Sequence, residues 1–232
     1  MKPILFSTPM VEAILKGWKS MTRRVINPQP PESALRCLGI CTGSTDKSQI
    51  GSAIFGDEFY AEAFVKIPYH QGDILYVRET FCLGNTVFGE NPDGSDAWYI
   101  EPSDDGGIIP KQWAISQNVG TDDVKWKPSI FMPKEFARIF LRVTDVRAER
   151  VQGIAVEDVI SEGLPCDNDL NNPDPSTHAG IKAWNLEYAQ FLYRELWDKL
   201  NAARGYGWDK NPWVWVYTFE RITREEAMEA QA

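Results

Sequence analysis

The sequence predicts an α+β chain, a partly open mixed β-barrel with short flanking helices and long loop insertions. Three observations carry this. Several short segments alternate like strands, a few apolar stripes at helical spacing stop quickly, and long runs of Pro, Gly, Ser, Thr, Asn and Asp separate them. At 232 residues the chain can bury a full core as a single domain, 1–232, with insertions near 27–69, 84–127 and 166–183.

Taken in order, Ile4 to Ser7 reads as a short strand, and Thr8-Pro9 as the cap and first position of a helix with Met10, Ala13 and Ile14 on its apolar face. Gly17 ends that helix. Ser20, Thr22 and Arg24 then alternate with Met21, Arg23 and Val25, so Thr22 and Arg24 point the same way. Gly72-Asp73 turns into a strand over Ile74 to Phe81. A hairpin through Trp98-Tyr99-Ile100 is expected in the second insertion, and Ile139 to Val146 alternates as a second core strand. Val156, Val159 and Ile160 give a helix that Gly163 and Pro165 stop, with Glu162 on its last turn. Leu186, Ala189, Tyr193, Leu196, Trp197 and Leu200 form the stripe of a longer helix, Trp213 to Phe219 a strand apolar on both faces, and the tail after Ile222 a frayed polar helix.

Composition narrows the function. The hydrophobic share of 43% and charged share of 25% fit a globular chain and exclude wholesale disorder. Nothing approaches the apolar run of about 20 residues that a membrane helix needs, and the N-terminal run is too short for a signal peptide. Four Cys, of which only Cys37 and Cys41 are close together, make no disulfide framework and favour a reducing, cytoplasmic setting. A net charge of −9 argues against a general phosphate-backbone binder, so any nucleic-acid contact is local. The basic cluster Lys16, Lys19, Arg23 and Arg24 fits such a contact, and a solvated charged face explains it equally well.

Strong catalytic signatures are missing: there is no phosphate loop, no GxSxG, no HExxH, and only His70 and His178. Cys37, Cys41 and His70 lack the matching second pair of a zinc site, so no metal and no cofactor are expected. What remains is Gly17-Trp18-Lys19-Ser20-Met21-Thr22-Arg23-Arg24, which packs an amine, a hydroxyl and guanidinium groups just after a helix stop. On spacing alone, a charged strand mouth at the surface accounts for it.

This segment resembles the G-x-K-x-x-T-x-R motif that opens ASCH domains, and Gly72-Asp73-Ile74-Leu75-Tyr76-Val77 resembles their next strand signature. Val159-Ile160-Ser161-Glu162-Gly163 is similar to the helix end that carries the family's acidic residue, and Trp213 to Phe219 to its closing strand. The opening Ile4-Leu5-Phe6-Ser7, Val77-Arg78-Glu79-Thr80 and Gly205-Tyr206-Gly207-Trp208 look like the longer ASCH proteins of phages and prophages. The likeness implies a PUA-like barrel over about half the chain. One compact branch of the fold hydrolyses N(4)-acetylcytidine with a Lys, a Thr and a Glu. Carried over, these fall on Lys19, Thr22 and Glu162, with the motif Arg on Arg24. The three insertions have no counterpart in that branch.

The resemblance implies that Thr22 is the nucleophile, that Lys19 is the base if burial or Arg23 and Arg24 lower its pKa, and that Glu162 is the proton donor to the leaving amine. Arg24 or backbone amides near Gly17 would stabilise the oxyanion. Glu79 beside Arg78 is a further binding candidate, more simply read as an ion pair that shapes the cleft. Trp18 and Trp208, in loops beside polar motifs, are candidate stacking walls with ordinary packing as the equal alternative. The implied partner is a nucleoside or modified base, or single-stranded RNA, and no membrane. Three readings stand: an amidohydrolase on an N(4)-acylated cytosine nucleoside or base, an RNA- or modified-base-binding module without catalysis, and a phage assembly or interaction protein.

Overall fold

The computed structural model describes residues 1–57, 59–90, 96–102, 107–120, 124–164 and 186–230. It is a mixed α+β fold, mostly sheet with a few short helices. In chain order the elements are β1 (Lys2–Leu5), α1 (Thr8–Leu15), β2 (Met21–Val25), β3 (Arg36–Ile40), β4 (Ala53–Gly56), β5 (Ala61–Val65), β6 (Ile74–Arg78), β7 (Phe81–Glu90), β8 (Asp96–Pro102), β9 (Gly107–Pro110), α2 (Lys111–Ser116), β10 (Phe140–Arg150), α3 (Val156–Ser161), α4 (Leu186–Asn201), β11 (Trp213–Ile222) and α5 (Arg224–Glu229). No strand pairing among the described residues closes a sheet on itself.

The chain divides into two compact units. The first takes Met1–Gly17, Ile74–Arg142 and Arg221–Ala232. In it β1 lies parallel to β6, with Ile4 opposite Val77, and the start of β10 runs antiparallel to β6, with Leu141 opposite Leu75. β6 is buried at Ile74, Leu75, Tyr76 and Val77, as a strand covered on both faces must be. β7 pairs with both β8 and β9. The expected hairpin through Trp98 to Ile100 is thus present, inside a small sheet. The tail is not frayed: Thr223 and Glu226 form a capping box at the start of α5, and Ala227 is fully buried.

The second unit takes Trp18–Asp73 and Val143–Glu220. Here β11 runs antiparallel to β2, with Thr22 opposite Tyr217 and Arg24 opposite Trp215. One face of β11 sends Val214 and Val216 into a core with Met21, Val151, Ile154, Val159, Tyr193, Trp197 and Trp208. The other face packs Trp213 and Trp215 against Phe55, with ring centroids 5.1 and 6.1 Å apart, and Tyr217 against Tyr69 at 5.1 Å. Edge-on aromatic pairs of this kind each add about 0.5–1.5 kcal/mol beyond burial. Phe55 comes from the expected first insertion, which forms the antiparallel sheet β3-β4-β5 instead of irregular loop. The stripe of α4 is narrower than its pattern implied: Ala189, Tyr193 and Trp197 are buried, whereas Leu186 and Leu200 are exposed. The expected third insertion, 166–183, lies outside the described residues.

Candidate functional site

Two backbone crossings in the second unit build the site. Lys19 and Glu162 form an isolated antiparallel bridge, and the Ser20 N–H donates to the Ser161 carbonyl at 2.9 Å. On the other side of this segment the Phe219 N–H donates to the Ser20 carbonyl at 2.8 Å. The local sequence makes these crossings possible. Gly17, at φ +76°, and Gly163, at φ +83°, take the left-handed backbone that turns the chain sharply after α1 and α3.

At the crossing the side chains meet in a buried ionic network. The Lys19 amine donates to the Glu162 carbonyl at 2.7 Å and to Glu162 Oε2 at 2.8 Å. The other carboxylate oxygen, Oε1, accepts from Arg23 Nη1 and from the Tyr193 hydroxyl, each at 3.4 Å. Arg23 also reaches Glu149 Oε1 and Asp158 Oδ2, both at 2.5 Å. Arg147 closes the outer edge on Asp158 at 2.9 Å and Glu149 at 3.2 Å. Lys19, Thr22 and Arg23 are each 5% exposed and Glu162 is 4% exposed. Charges taken so far out of water persist only because each has its counter-charge in contact.

Burial pushes the Lys19 amine below the ordinary lysine range, against the pull of Glu162 and with the help of the Arg24 and Arg23 charges. Burial also works against the Arg23 charge, but Glu162, Tyr193 and Glu149 overcome it and hold that guanidinium above its usual pKa. Arg24 moves the other way, lowered by burial despite Glu162 and the phenols of Tyr69, Tyr193 and Tyr217. Burial raises the Tyr193 phenol well above its ordinary value, with Glu162 adding to the effect, so Tyr193 stays a neutral donor. Burial likewise raises Tyr217. The Tyr217 hydroxyl lies near the Tyr69 backbone and is buried with no hydrogen-bond partner among the described residues.

No protein-family model, curated protein or solved structure matches the chain. Of the residues singled out in the sequence, the structure joins Lys19 to Glu162 directly and sets Arg24 within electrostatic reach of Glu162. Thr22 shares the Arg24 face of β2, opposite Tyr217. Its hydroxyl makes no hydrogen bond among the described residues.

Sequence reasoning counted Arg23 in the basic cluster and as a charge acting on Lys19, but missed its contact with Glu162 and, with it, Glu149, Arg147 and Tyr193. A usable signal existed. Asp158 and Glu162 are four residues apart, which stacks two carboxylates on one side of α3 and calls for a cation opposite. Trp208 is core, not a stacking wall: it is 7% exposed, with its ring edge-on to Tyr193 at 6.2 Å. Trp18 is half-buried. Arg78 and Glu79 belong to the first unit and do not pair with each other, because consecutive residues of an extended chain point to opposite sides. Glu79, 1% exposed, takes Arg138 instead, while Arg78 donates to the Ile130 carbonyl at 3.0 Å and lies over the Tyr76 ring. Among the described residues no group of three or more His, Cys, Asp or Glu is placed to hold a metal ion, and no helix is long and apolar enough to cross a membrane.

Proposed function

We propose that the chain is an amidohydrolase that cleaves an N(4)-acylated cytosine nucleoside or base, its residues carried on a PUA-like, partly open barrel. The observation that supports this reading best is the buried contact of Lys19 with Glu162 across 143 residues of sequence, with the amine driven toward its neutral form. A solvated charged face would leave these two residues apart and fully ionised.

In the proposed reaction the Thr22 hydroxyl attacks the acyl carbon while its proton passes to neutral Lys19. The hydrogen bond from Lys19 to Glu162 gives that proton a path to the cytosine N4, which leaves as the amine when the C–N bond breaks. Water then cleaves the Thr22 ester and releases the carboxylate. Arg24 balances the developing oxyanion. Incubating the protein with N(4)-acetylcytidine and longer N(4)-acyl homologues, with carboxylate release followed by NMR, tests the reading. Turnover abolished by Thr22→Ala supports it, and turnover at the wild-type rate in that variant removes it.

The buried, partnerless Tyr217 hydroxyl near Tyr69 and Arg24 favours a second reading, a module that binds a modified base without turning it over. Its signature is saturable binding of an acylated cytidine, weakened by Tyr217→Phe, with no release of carboxylate.

A further inference from the structure

The first unit holds a cavity of about 390 Å³ that none of the chemistry above uses. Asn85 and Thr86 of β7 line it, with Ile109 and Pro110 of β9, Trp113 of α2, and Arg138. Its floor is apolar and well packed, since Ile109 is 7% exposed and belongs to a core cluster with Cys82, Ala114 and Val119. Its volume lies near the lower end of the range of roughly 300–1,000 Å³ typical of small-molecule sites.

Arg138 gives the cavity its chemistry. Its Nε and Nη2 clamp the Glu79 carboxylate side-on, at 2.9 and 2.8 Å, and Glu79 is buried behind it. That clamp fixes the guanidinium plane and uses one of its two forked edges. The end-on edge, formed by Nη1 and the second N–H of Nη2, keeps its donors, and no acceptor among the described residues meets Nη1. The guanidinium keeps 30% of its side chain exposed and lines the cavity, so a fixed planar fork stands beside an indole and an Ile-Pro floor.

We propose that this cavity binds a small aromatic carboxylate, its ring against Trp113, Ile109 and Pro110 and its two oxygens on the end-on fork of Arg138. A planar monoanion fits better than a phosphate ester. Arg138 is the one cation among the described lining residues and Glu79 already balances its charge in part, so a dianion would be less well compensated than a monoanion. Asn85 and Thr86 supply the rim. This inference is independent of the reaction proposed above, because none of its residues takes part in that reaction.

Calorimetry and ligand-observed NMR with phenylacetate and its uncharged counterpart phenylacetamide provide the test. Saturable, single-site binding of phenylacetate is expected, with the amide weaker by about tenfold or more, the usual loss for a charge-assisted hydrogen bond. Asn85→Trp, at an exposed rim position, should block binding without changing the melting temperature. The double variant Glu79→Met/Arg138→Met leaves no buried charge behind, should fold, and should also lose binding. Equal binding of acid and amide would overturn the proposal, as would binding that survives both variants or no saturable binding at all. Guanosine binding more tightly than phenylacetate would overturn the carboxylate assignment and make the ligand a neutral heterocycle with paired acceptors.

Discussion

Replacing Glu162 by Gln keeps the shape of the side chain and removes only its charge. Lys19 would retain the Glu162 backbone carbonyl at 2.7 Å, lose the carboxylate at 2.8 Å, and still face Arg23 and Arg24. Breaking a buried pair by removing one partner costs about 3–5 kcal/mol. Lys19 can limit the loss by releasing its proton. From an unfolded pKa of about 10.4, that release costs about 4.6 kcal/mol at pH 7 and about 1.9 kcal/mol at pH 9, at 1.36 kcal/mol per unit. The native amine is already lowered, so these are upper bounds. For a chain of this size each kcal/mol shifts the melting temperature by about 2–4 °C, which predicts a drop of roughly 6–18 °C at pH 7. The sign of the pH dependence follows from linkage. With the folded pKa below the unfolded one, the unfolded chain binds more protons between the two, so stability rises with pH and the deficit shrinks toward pH 9. Circular-dichroism melts of both proteins at pH 7, 8 and 9 measure this. An unchanged melting temperature at pH 7, or a deficit that stays constant up to pH 9, would refute Glu162 as the counter-charge of a buried Lys19.

If Lys19 acts as the base, hydrolysis should rise with pH as the amine loses its proton, with a midpoint below the ordinary 10.5, and Lys19→Ala should lower the rate by a factor of about 100 or more. A rate that falls with pH over the same range would exclude that role. Arg23→Met leaves Glu149 and Asp158 to Arg147 alone and should cost about 3–5 kcal/mol in urea unfolding, with Arg23→Lys recovering only part because an ammonium cannot fork. A loss below about 1 kcal/mol would place the network among weak surface pairs. Gly56→Ala drives a Cβ into the Tyr60 carbonyl and should destabilise by at least about 1–3 kcal/mol, which hydrogen exchange would localise to β3-β4-β5. Unchanged protection there would show that the backbone yields.

The strands legible in the sequence were those whose pattern is set by burial. β6 and β11 read as continuous apolar runs because both faces are covered, and the glycines that stop α1 and α3 take the left-handed φ that their position demands. The pairing of Lys19 with Glu162 was not readable from spacing, since only the ASCH resemblance put those residues in one site. The contact of Arg23 with Glu162 went unread because strand alternation sets Arg23 on the face away from Thr22 and Arg24, where Val216 and the core would normally exclude a charge. Its burial depends on Glu149, on β10, and on Asp158, on α3, and contacts between distant elements leave no local periodicity. The β3-β4-β5 sheet was hidden for a related reason. Its strands are short, interrupted by Gly39 and Gly56, and much of β3 is solvated, so they show little alternation.

The bridge between Lys19 and Glu162 also orders events in time. Closing a loop of 143 residues costs about 4 kcal/mol in chain entropy, and on a ribosome it cannot begin until Glu162 has left the exit tunnel. The strand that covers the other flank comes later still. At about 5–20 residues per second, Thr22 precedes its partner Tyr217 by roughly 10–40 s of synthesis. Until Glu162 has emerged, Lys19, Arg23 and Arg24 lack the carboxylate they face in the folded chain. A product that ends before Glu162 carries the whole opening motif without its counter-charge, and one that ends before β11 lacks the strand that pairs with β2, so the site is complete only after the last long strand is made.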